Sequence, residues 1–200
     1  MRRTLAALGV LLLVVAGCAG GGDDTPDLDD LLVEDPVPGF ERLGHDGPED
    51  GDLDLEEVAA LFVGSEEDAA GELESAGWVA SSGAHWVAPA QSLVLRLDEF
   101  DTAAGAKAWV GEPAEGSTPI PGIDGARLTK IVHEGRIGRP VADYRSAAYQ
   151  RLAIGQVCRY AVVVFLRSAE ETLTDRQLTT VFRRQARAVE PYCDDADSRR

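Results

Sequence analysis

The sequence lacks the short motifs by which most enzymes and metal-binding proteins are recognised. It contains no GxSxG, SxxK, HExxH, P-loop or CxxC pattern. Its three histidines, His45, His85 and His133, lie far apart in the chain, and single histidines are more often core or surface residues than catalysts. We therefore predict no catalytic residue, no metal site and no cofactor.

Positive charge is also scarce. The chain has 19 Lys and Arg against 35 Asp and Glu, which gives a formal net charge of −16 at pH 7. The excess is concentrated in residues 23–74, where 20 acidic residues face one basic residue, Arg42. Because no basic stripe is interleaved with aromatic residues, we expect no nucleic-acid partner.

The N-terminal hydrophobic run is too short for a membrane-spanning helix. Residues 5–15 form about a dozen apolar positions behind Arg2 and Arg3, a length typical of a signal peptide, whereas a spanning helix needs roughly 20. We predict no permanent transmembrane anchor. The two arginines leave both the general and the twin-arginine export routes open.

The run ends in Val15-Ala16-Gly17-Cys18, which resembles a bacterial lipobox. Small residues before the cysteine admit the peptidase, and the Cys18 thiol can take a thioether-linked diacylglyceryl group. We therefore predict a lipoprotein signal peptide at residues 1–17 and a mature protein anchored through Cys18 to the outer face of the cytoplasmic membrane. Two or more acyl chains, palmitate among them, suffice for stable anchoring. The alternative is an ordinary secretory signal followed by a chance cysteine.

Lipidation of Cys18 leaves two cysteines, Cys158 and Cys193, an even pair in an oxidising compartment. The long separation between them argues against a metal or redox pair. We predict a disulfide that closes a loop of about 36 residues and stabilises the fold by about 4 kcal/mol in the chain-entropy model.

Composition divides the mature chain into three parts. Residues 18–35 are rich in Gly and Asp and have little to bury, so we predict a disordered acidic tether. Pro36 marks the beginning of a single domain over residues 36–193, which is long enough for one core. Residues 194–200 are predicted to be a disordered tail.

The acidic stretch after Asp46 partly matches an EF-hand calcium loop. Asp46, Asp50, Gly51, Asp54 and Glu57 fall at positions 1, 5, 6, 9 and 12 of the pattern. However, position 3 is a proline without a side-chain oxygen, and the segment upstream cannot form the entering helix. We favour the alternative, in which Asp54 and Glu57 form a capping box for a helix that ends at residue 62.

Hydrophobic periodicity predicts helices alternating with hairpins in the remaining chain. The fold class is α+β, with an antiparallel sheet built of hairpins and helices packed on it after the disordered tether. The first half is predicted to contain a helix over 65–77, a hairpin of strands 78–80 and 84–88 that turns at Ser82-Gly83, a strand over 93–98 with Leu93, Leu95 and Leu97 on one face, and a helix from Asp101 to residue 110.

The second half is predicted to contain a loop over 112–125, a strand over 126–134, and a hairpin in which strand 143–154 turns at Gly155-Gln156 into a central strand over 157–166. A last helix is capped by Thr174 and Gln177. Its apolar stripe consists of Leu178, Val181, Phe182, Ala186 and Val189.

Three sequence features carry a family resemblance. They are Gly77-Trp78, Phe100-Asp101 before an Ala-rich helix, and Pro121-Gly122 in a loop. With the acidic linker, they make residues 39–191 resemble a family of uncharacterised actinobacterial lipoproteins and, more distantly, the extracellular sensor domains of mycobacterial Ser/Thr kinases. The resemblance implies a cell-envelope location and, from the sensor domains, a disulfide-stapled α+β fold around a cleft.

Two classes of function remain open. The leading hypothesis is a lipid-anchored, non-catalytic domain that binds a small molecule, a lipid or an envelope protein. The alternative is an envelope hydrolase whose catalytic groups come from distant positions. Three further features bear on this choice. His85-Trp86 could line a pocket, Trp109 could line one but is predicted to be a buried core residue, and the group Arg136, Arg139, Arg145 and Arg151 is predicted to be a solvated strand face in preference to an anion site.

Overall fold

The computed structural model describes residues 26–44, 49–61, 66–111, 117–131, 149–168 and 175–193. Several predicted features lie outside these residues: the signal peptide with Cys18, His45, Asp46, His133, Thr174, three of the four grouped arginines and the C-terminal tail. Within the described part of the chain, no helix combines the length and apolarity that crossing a membrane requires.

Among the residues that the structure describes, eight strands form one antiparallel sheet and five helices pack on it, which confirms the predicted α+β class. The sheet order is β1-β3-β4-β8-β7-β6-β5, and β2 pairs with β3 beside β1. The elements in chain order are α1 (Leu28–Leu31), β1 (Glu41–Arg42), β2 (Gly51–Leu53), α2 (Leu55–Ala60), α3 (Glu66–Ser75), β3 (Trp78–Ala88), β4 (Gln91–Phe100), α4 (Ala103–Val110), β5 (Thr118–Pro119), β6 (Arg127–Ile131), β7 (Tyr149–Val157), β8 (Tyr160–Ser168) and α5 (Asp175–Val189), with a 3-10 turn at Glu190–Tyr192.

The first face of the sheet is covered by α5. Strand alternation places Leu93, Leu95 and Leu97 on this face, as predicted, and all three are buried. Strand β8 lies between β4 and β7, which confirms its central position. The predicted stripe of α5 packs against these strands, and every member is buried: Leu178, Val181, Phe182, Ala186 and Val189.

The second face is covered at one end by α2, α3 and α4. Phe100 and Ala161 of the sheet pack there with Val58 of α2, Leu73 of α3 and Val110 of α4. Helices α2 and α4 are each capped by a side chain directly before their first residue. Side-chain and backbone groups of Asp54 and Glu57 form the predicted capping box for α2, with hydrogen bonds of 2.8 and 2.9 Å, whereas Thr102 caps α4 in place of the predicted Asp101.

The predicted tether is wrong over residues 26–35, which pack against the domain. Leu28, Leu31 and Leu32 have the i, i+3, i+4 spacing of a helical stripe and are each only 6% exposed. The buried amide of Gln185 then holds the chain after α1, donating to the Leu31 carbonyl (2.9 Å) and accepting from the Val33 amide (3.0 Å). We call residues 26–40 the strap.

Both hairpin turns lie at other positions than predicted. Gly83 and Gly155, which were expected in turns, lie inside strands where another part of the chain packs closely against them. Ser82-Gly83 lies within β3, and a Cβ on Gly83 would lie 2.5 Å from the Glu49 carbonyl oxygen; the chain turns at residues 89–90. Gly155 lies within β7, where a Cβ would lie 2.6 Å from that of Ala126. The turn into β8 is made by Cys158 and Arg159, with Cys158 at a positive φ of 49°.

The structure joins Cys158 to Cys193 in the disulfide that the cysteine count predicts, with a Cα–Cα distance of 5.5 Å. Cys158 lies in the β7–β8 turn, and Cys193 follows the 3-10 turn that contains Pro191. The bond therefore fixes the end of α5 to the central hairpin of the sheet.

Candidate functional site

The second face of the sheet is the candidate site, because its end remote from α2, α3 and α4 combines buried charges with partly exposed apolar side chains. Val163 and Phe165 of β8 and Leu152 of β7 are all half-buried there. Val163 is in register with Arg96 of β4, and Arg167 is the next residue after Phe165 on this face of β8. This composition differs from the first face, where the corresponding positions are buried and apolar.

A buried ion network fastens the segment before β2 to this face. Arg167 of β8 donates from Nη2 to Oε1 of Glu49 (3.4 Å), and Oε2 of the same carboxylate lies 3.9 Å from Nδ1 of His85. Asp50 accepts hydrogen bonds from the backbone amide of His85 (3.1 Å) and from Arg42 Nη2 (2.9 Å). Two adjacent carboxylates thus bind groups from three strands.

Burial favours the uncharged form of the His85 imidazole. Burial lowers its pKa below the usual 6.5, and the positive charge of Arg167 lowers the pKa further; the carboxylates of Glu49 and Asp50 oppose the shift without overcoming it. The His85 side chain is completely buried.

Next to the ion network, three polar residues form a row across three adjacent strands. Ser92 of β4 is in register with Arg167 of β8, which is in register with Gln150 of β7. Ser92 is 1% exposed and Gln150 9%. In the part of the chain that the structure describes, Ser92 Oγ, Arg167 Nη1 and Gln150 Oε1 are buried and have no hydrogen-bond partner. We call Ser92, Arg167 and Gln150 the polar row.

Buried polar atoms in native proteins are nearly always hydrogen-bonded, and each unmade bond costs about 1–3 kcal/mol. Three such atoms on neighbouring strands therefore indicate that a polar partner belongs beside them. The next charged pair on the same face differs, because its bonds are made within the protein. Arg96 and Asp98 form an ion pair with a 2.7 Å contact, and Ser81 donates to the same carboxylate at 2.7 Å.

A shallow open groove lies at the edge of the sheet where β3 begins. Its volume is about 330 Å³, which is at the lower end of the range for small-molecule sites. Val79 on its wall is 48% exposed, and the Trp78 indole donates to Ser81 Oγ at 2.8 Å. The groove is lined by Asp27, Leu28, Asp52, Leu53, Trp78, Val79, Ala80 and Ser81.

The structure separates the residues that the calcium-loop pattern placed together. Asp50 is engaged by Arg42 and His85, and Asp54 and Glu57 cap α2. Among the described residues, no group of three or more His, Cys, Asp or Glu side chains is placed to hold a metal ion.

Other residues singled out in the sequence have structural roles. Arg151, the one described member of the arginine group, lies 3.3 Å from Asp175 at the start of α5. Trp109 is half-buried, with its ring centroid 6.4 Å from that of Phe100. His85 and Trp86, neighbours in β3, point to opposite faces of the sheet, and Trp86 belongs to the core beneath α5.

Sequence analysis did not identify Glu49 or the polar row. The alternation of β4 and β8 does place Ser92 and Arg167 opposite the leucine face, which is a usable signal. Their proximity to each other and to Gln150, however, depends on strand register across two pairings that the sequence does not give.

Comparison with known proteins gives one informative match. No protein-family description matches the sequence, and no curated protein matches it. The fold resembles the crystal structure of the extracellular domain of PknH from Mycobacterium tuberculosis, with a TM-score of 0.52 and 13% identity over 81% of this chain and 94% of that chain. The predicted resemblance to kinase sensor domains is thus supported in its fold, and the resemblance to actinobacterial lipoproteins stays a prediction. What the comparison shows is that this chain shares the α+β fold of an extracellular domain.

Proposed function

We propose that this protein is a lipid-anchored, non-catalytic binding domain of the cell envelope, held at the outer face of the cytoplasmic membrane through Cys18. The observation that carries the binding role is the polar row, whose three buried polar atoms need a partner. The bound partner is a small molecule, taken up on the second face of the sheet.

Two observations support the location. The Cys158–Cys193 disulfide is of a kind that persists in oxidising compartments outside the cytoplasm. The solved fold that this chain resembles is itself extracellular in PknH. The lipobox residues Val15 to Cys18 then supply the means of attachment.

A binding role is favoured over the hydrolase alternative by the environment of His85. The imidazole lies beside Glu49, as in many catalytic pairs, but the distance of 3.9 Å between His85 Nδ1 and Glu49 Oε2 is longer than a hydrogen bond. The same contacts fit a structural role, in which the network fastens the segment before β2 to the sheet.

Replacement of Cys18 tests the location. The Cys18→Ser variant should move from the membrane fraction to the soluble fraction and keep its disulfide and its melting temperature. Thr180→Ala is the control, because this exposed position leaves both the lipobox and the disulfide intact, and the variant should stay membrane-bound. Retention of Cys18→Ser in the membrane fraction would refute the anchor.

Native mass spectrometry of the full-length protein from its own envelope tests the binding role. We expect a bound species of small-molecule mass that disappears in the Gln150→Leu variant. Spectra that show no bound species for either the unchanged protein or Gln150→Leu would contradict ligand binding at the polar row.

A further inference from the structure

We infer that the polar row binds a neutral, hydroxyl-rich ligand, a sugar or a related polyol, with its hydroxyl groups bonded to Ser92, Arg167 and Gln150. This inference rests on the proposed binding function and adds the chemical class of the ligand.

The geometry of the row suits several hydroxyl groups on one molecule. Neighbouring strands are about 4.8 Å apart, so a row across β4, β8 and β7 spans about 10 Å. Contacts at three points along that distance match non-adjacent hydroxyls of one or two sugar rings.

The hydrogen-bonding types in the row select a neutral ligand. Arg167 Nη1 is a donor, Gln150 Oε1 is an acceptor, and the Ser92 hydroxyl is both. A carboxylate such as acetate only accepts hydrogen bonds, so it would leave Gln150 Oε1 unsatisfied, whereas a hydroxyl both donates and accepts.

Local charge leads to the same conclusion. The guanidinium of Arg167 is already matched by the buried carboxylate of Glu49, whose Oε1 lies 3.4 Å from Nη2. The positive charge of Arg167 is therefore already balanced within the protein, which disfavours an anionic ligand.

The adjacent rung of the sheet supplies the apolar contact that a sugar ring needs. Val94, Phe165 and Leu152 are in register across the same three strands, and the last two are half-buried. The Arg167 guanidinium covers one side of the Phe165 ring at 4.7 Å, which holds the arginine in place. Carbon-bound hydrogens of a sugar can pack on these side chains while its hydroxyls bind the row.

The test is a titration of the full-length protein in a zwitterionic detergent, because a maltoside detergent would itself present a sugar. The probes are methyl α-D-glucopyranoside, methyl α-D-mannopyranoside, D-arabinose and trehalose, with sodium acetate and sodium phosphate as anionic comparators. Binding is followed by NMR through the side-chain amide signals of Gln150. We expect saturable shifts with at least one neutral probe and none with either anion.

Variants locate the binding. Gln150→Leu and Arg167→Met should each raise the dissociation constant about tenfold or more, since each removes a hydrogen bond in a buried site. Val79→Asp is the matched control, because it alters the groove at the other end of β3 and leaves the row intact; its dissociation constant should stay within about twofold.

Thermal melting without any probe distinguishes a ligand site from a site for structural water. Ser92→Ala and Gln150→Leu should raise or preserve the melting temperature, because each removes a buried polar atom without a partner. The inference is overturned if none of the four neutral probes binds saturably. It is also overturned if the melting temperature falls for both variants, because that result indicates ordered water bound to the row. Saturation by acetate or phosphate in place of the sugars overturns the ligand class and leaves the proposed binding function standing.

Discussion

The side chain of Gln185 pairs with the backbone of the strap as a neighbouring strand would. Its Nε2 donates to the Leu31 carbonyl at 2.9 Å, its Oε1 accepts from the Val33 amide at 3.0 Å, and the residue is completely buried. One glutamine thus satisfies two backbone groups 154 and 152 positions earlier in the chain.

Gln185→Leu should therefore destabilise the protein by about 2 kcal/mol or more, because it leaves a buried N–H and a buried C=O without partners. The measurement is urea unfolding of the oxidised protein. Thr180→Ala, at an exposed position of the same helix, should change the free energy of unfolding by less than about 0.5 kcal/mol. Equal stabilities for the two variants would show that the strap contributes nothing to the fold.

Phe182→Ala should cost about 3–5 kcal/mol, since the ring is completely buried between α5 and the first face of the sheet. Arg176→Ala, on the exposed side of α5, is the control and should stay within about 0.5 kcal/mol of the unchanged protein. A melting temperature for Phe182→Ala within error of the control would contradict the packing of α5.

Stability should decrease as the pH falls from about 7.5 to about 5.5, in part because of His85. Its pKa is lowered in the folded state, so below the ordinary value near 6.5 the unfolded chain binds a proton that the folded chain does not. Protonation in the folded protein would place a charge among Glu49, Asp50 and Arg167 at the cost of desolvation.

His85→Gln should flatten this part of the stability profile relative to the unchanged protein, and the comparison removes contributions shared by both proteins. Glu99 acts in the opposite direction, because burial raises its pKa and stability is gained as the pH falls through that value. Profiles that remain parallel between pH 7.5 and 5.5 would show that His85 does not titrate differently on folding.

Loss of the disulfide should lower the free energy of unfolding by about 4 kcal/mol in the chain-entropy model. Cys158→Ser, Cys193→Ser and the double variant should be equally unstable, because each removes the same bond. Thiol titration of the oxidised parent protein is the accompanying measurement and should find neither cysteine free. Additive losses in the double variant would mean that the two thiols act separately.

Two glycines should respond to alanine with opposite signs. Gly155→Ala brings a Cβ to within 2.6 Å of the Ala126 Cβ and 2.8 Å of Phe182 Cζ, so it should destabilise the protein. Gly71→Ala has open space around it within α3 and should stabilise the protein by about 0.5–1 kcal/mol. Melting of both variants side by side checks the prediction; a stabilising Gly155→Ala would contradict the close packing of β6 on β7.

Periodicity determined much of the fold in advance. The leucines of β4, the stripe of α5 and the central position of β8 follow from spacing and apolarity alone, because burial on one face imposes those periods. The strap was missed because its leucines alternate with aspartates that dominate the composition. The turns were predicted at the wrong positions because glycine is common in turns. At Gly83 and Gly155, however, glycine is needed because a neighbouring segment leaves no room for a Cβ.

Less of the candidate site than of the fold could be predicted from the sequence. A serine, a glutamine and an arginine that are 58, 17 and 75 positions apart in their three pairings have no local pattern in common. They meet only because β8 lies between β4 and β7 in one particular register. A shift of one residue in either pairing would turn one member towards the opposite face.

On the proposed Cys18 anchor, fastening of the strap also limits the height of the domain above the bilayer. Because residues 26–35 pack against the domain, the chain between Cys18 and Pro26 can span no more than roughly 30 Å, against roughly 65 Å for a free segment up to residue 36. On the proposed anchor, the polar row works within the innermost layer of the envelope. Its ligand must then be either a component of that layer or small enough to diffuse down to it.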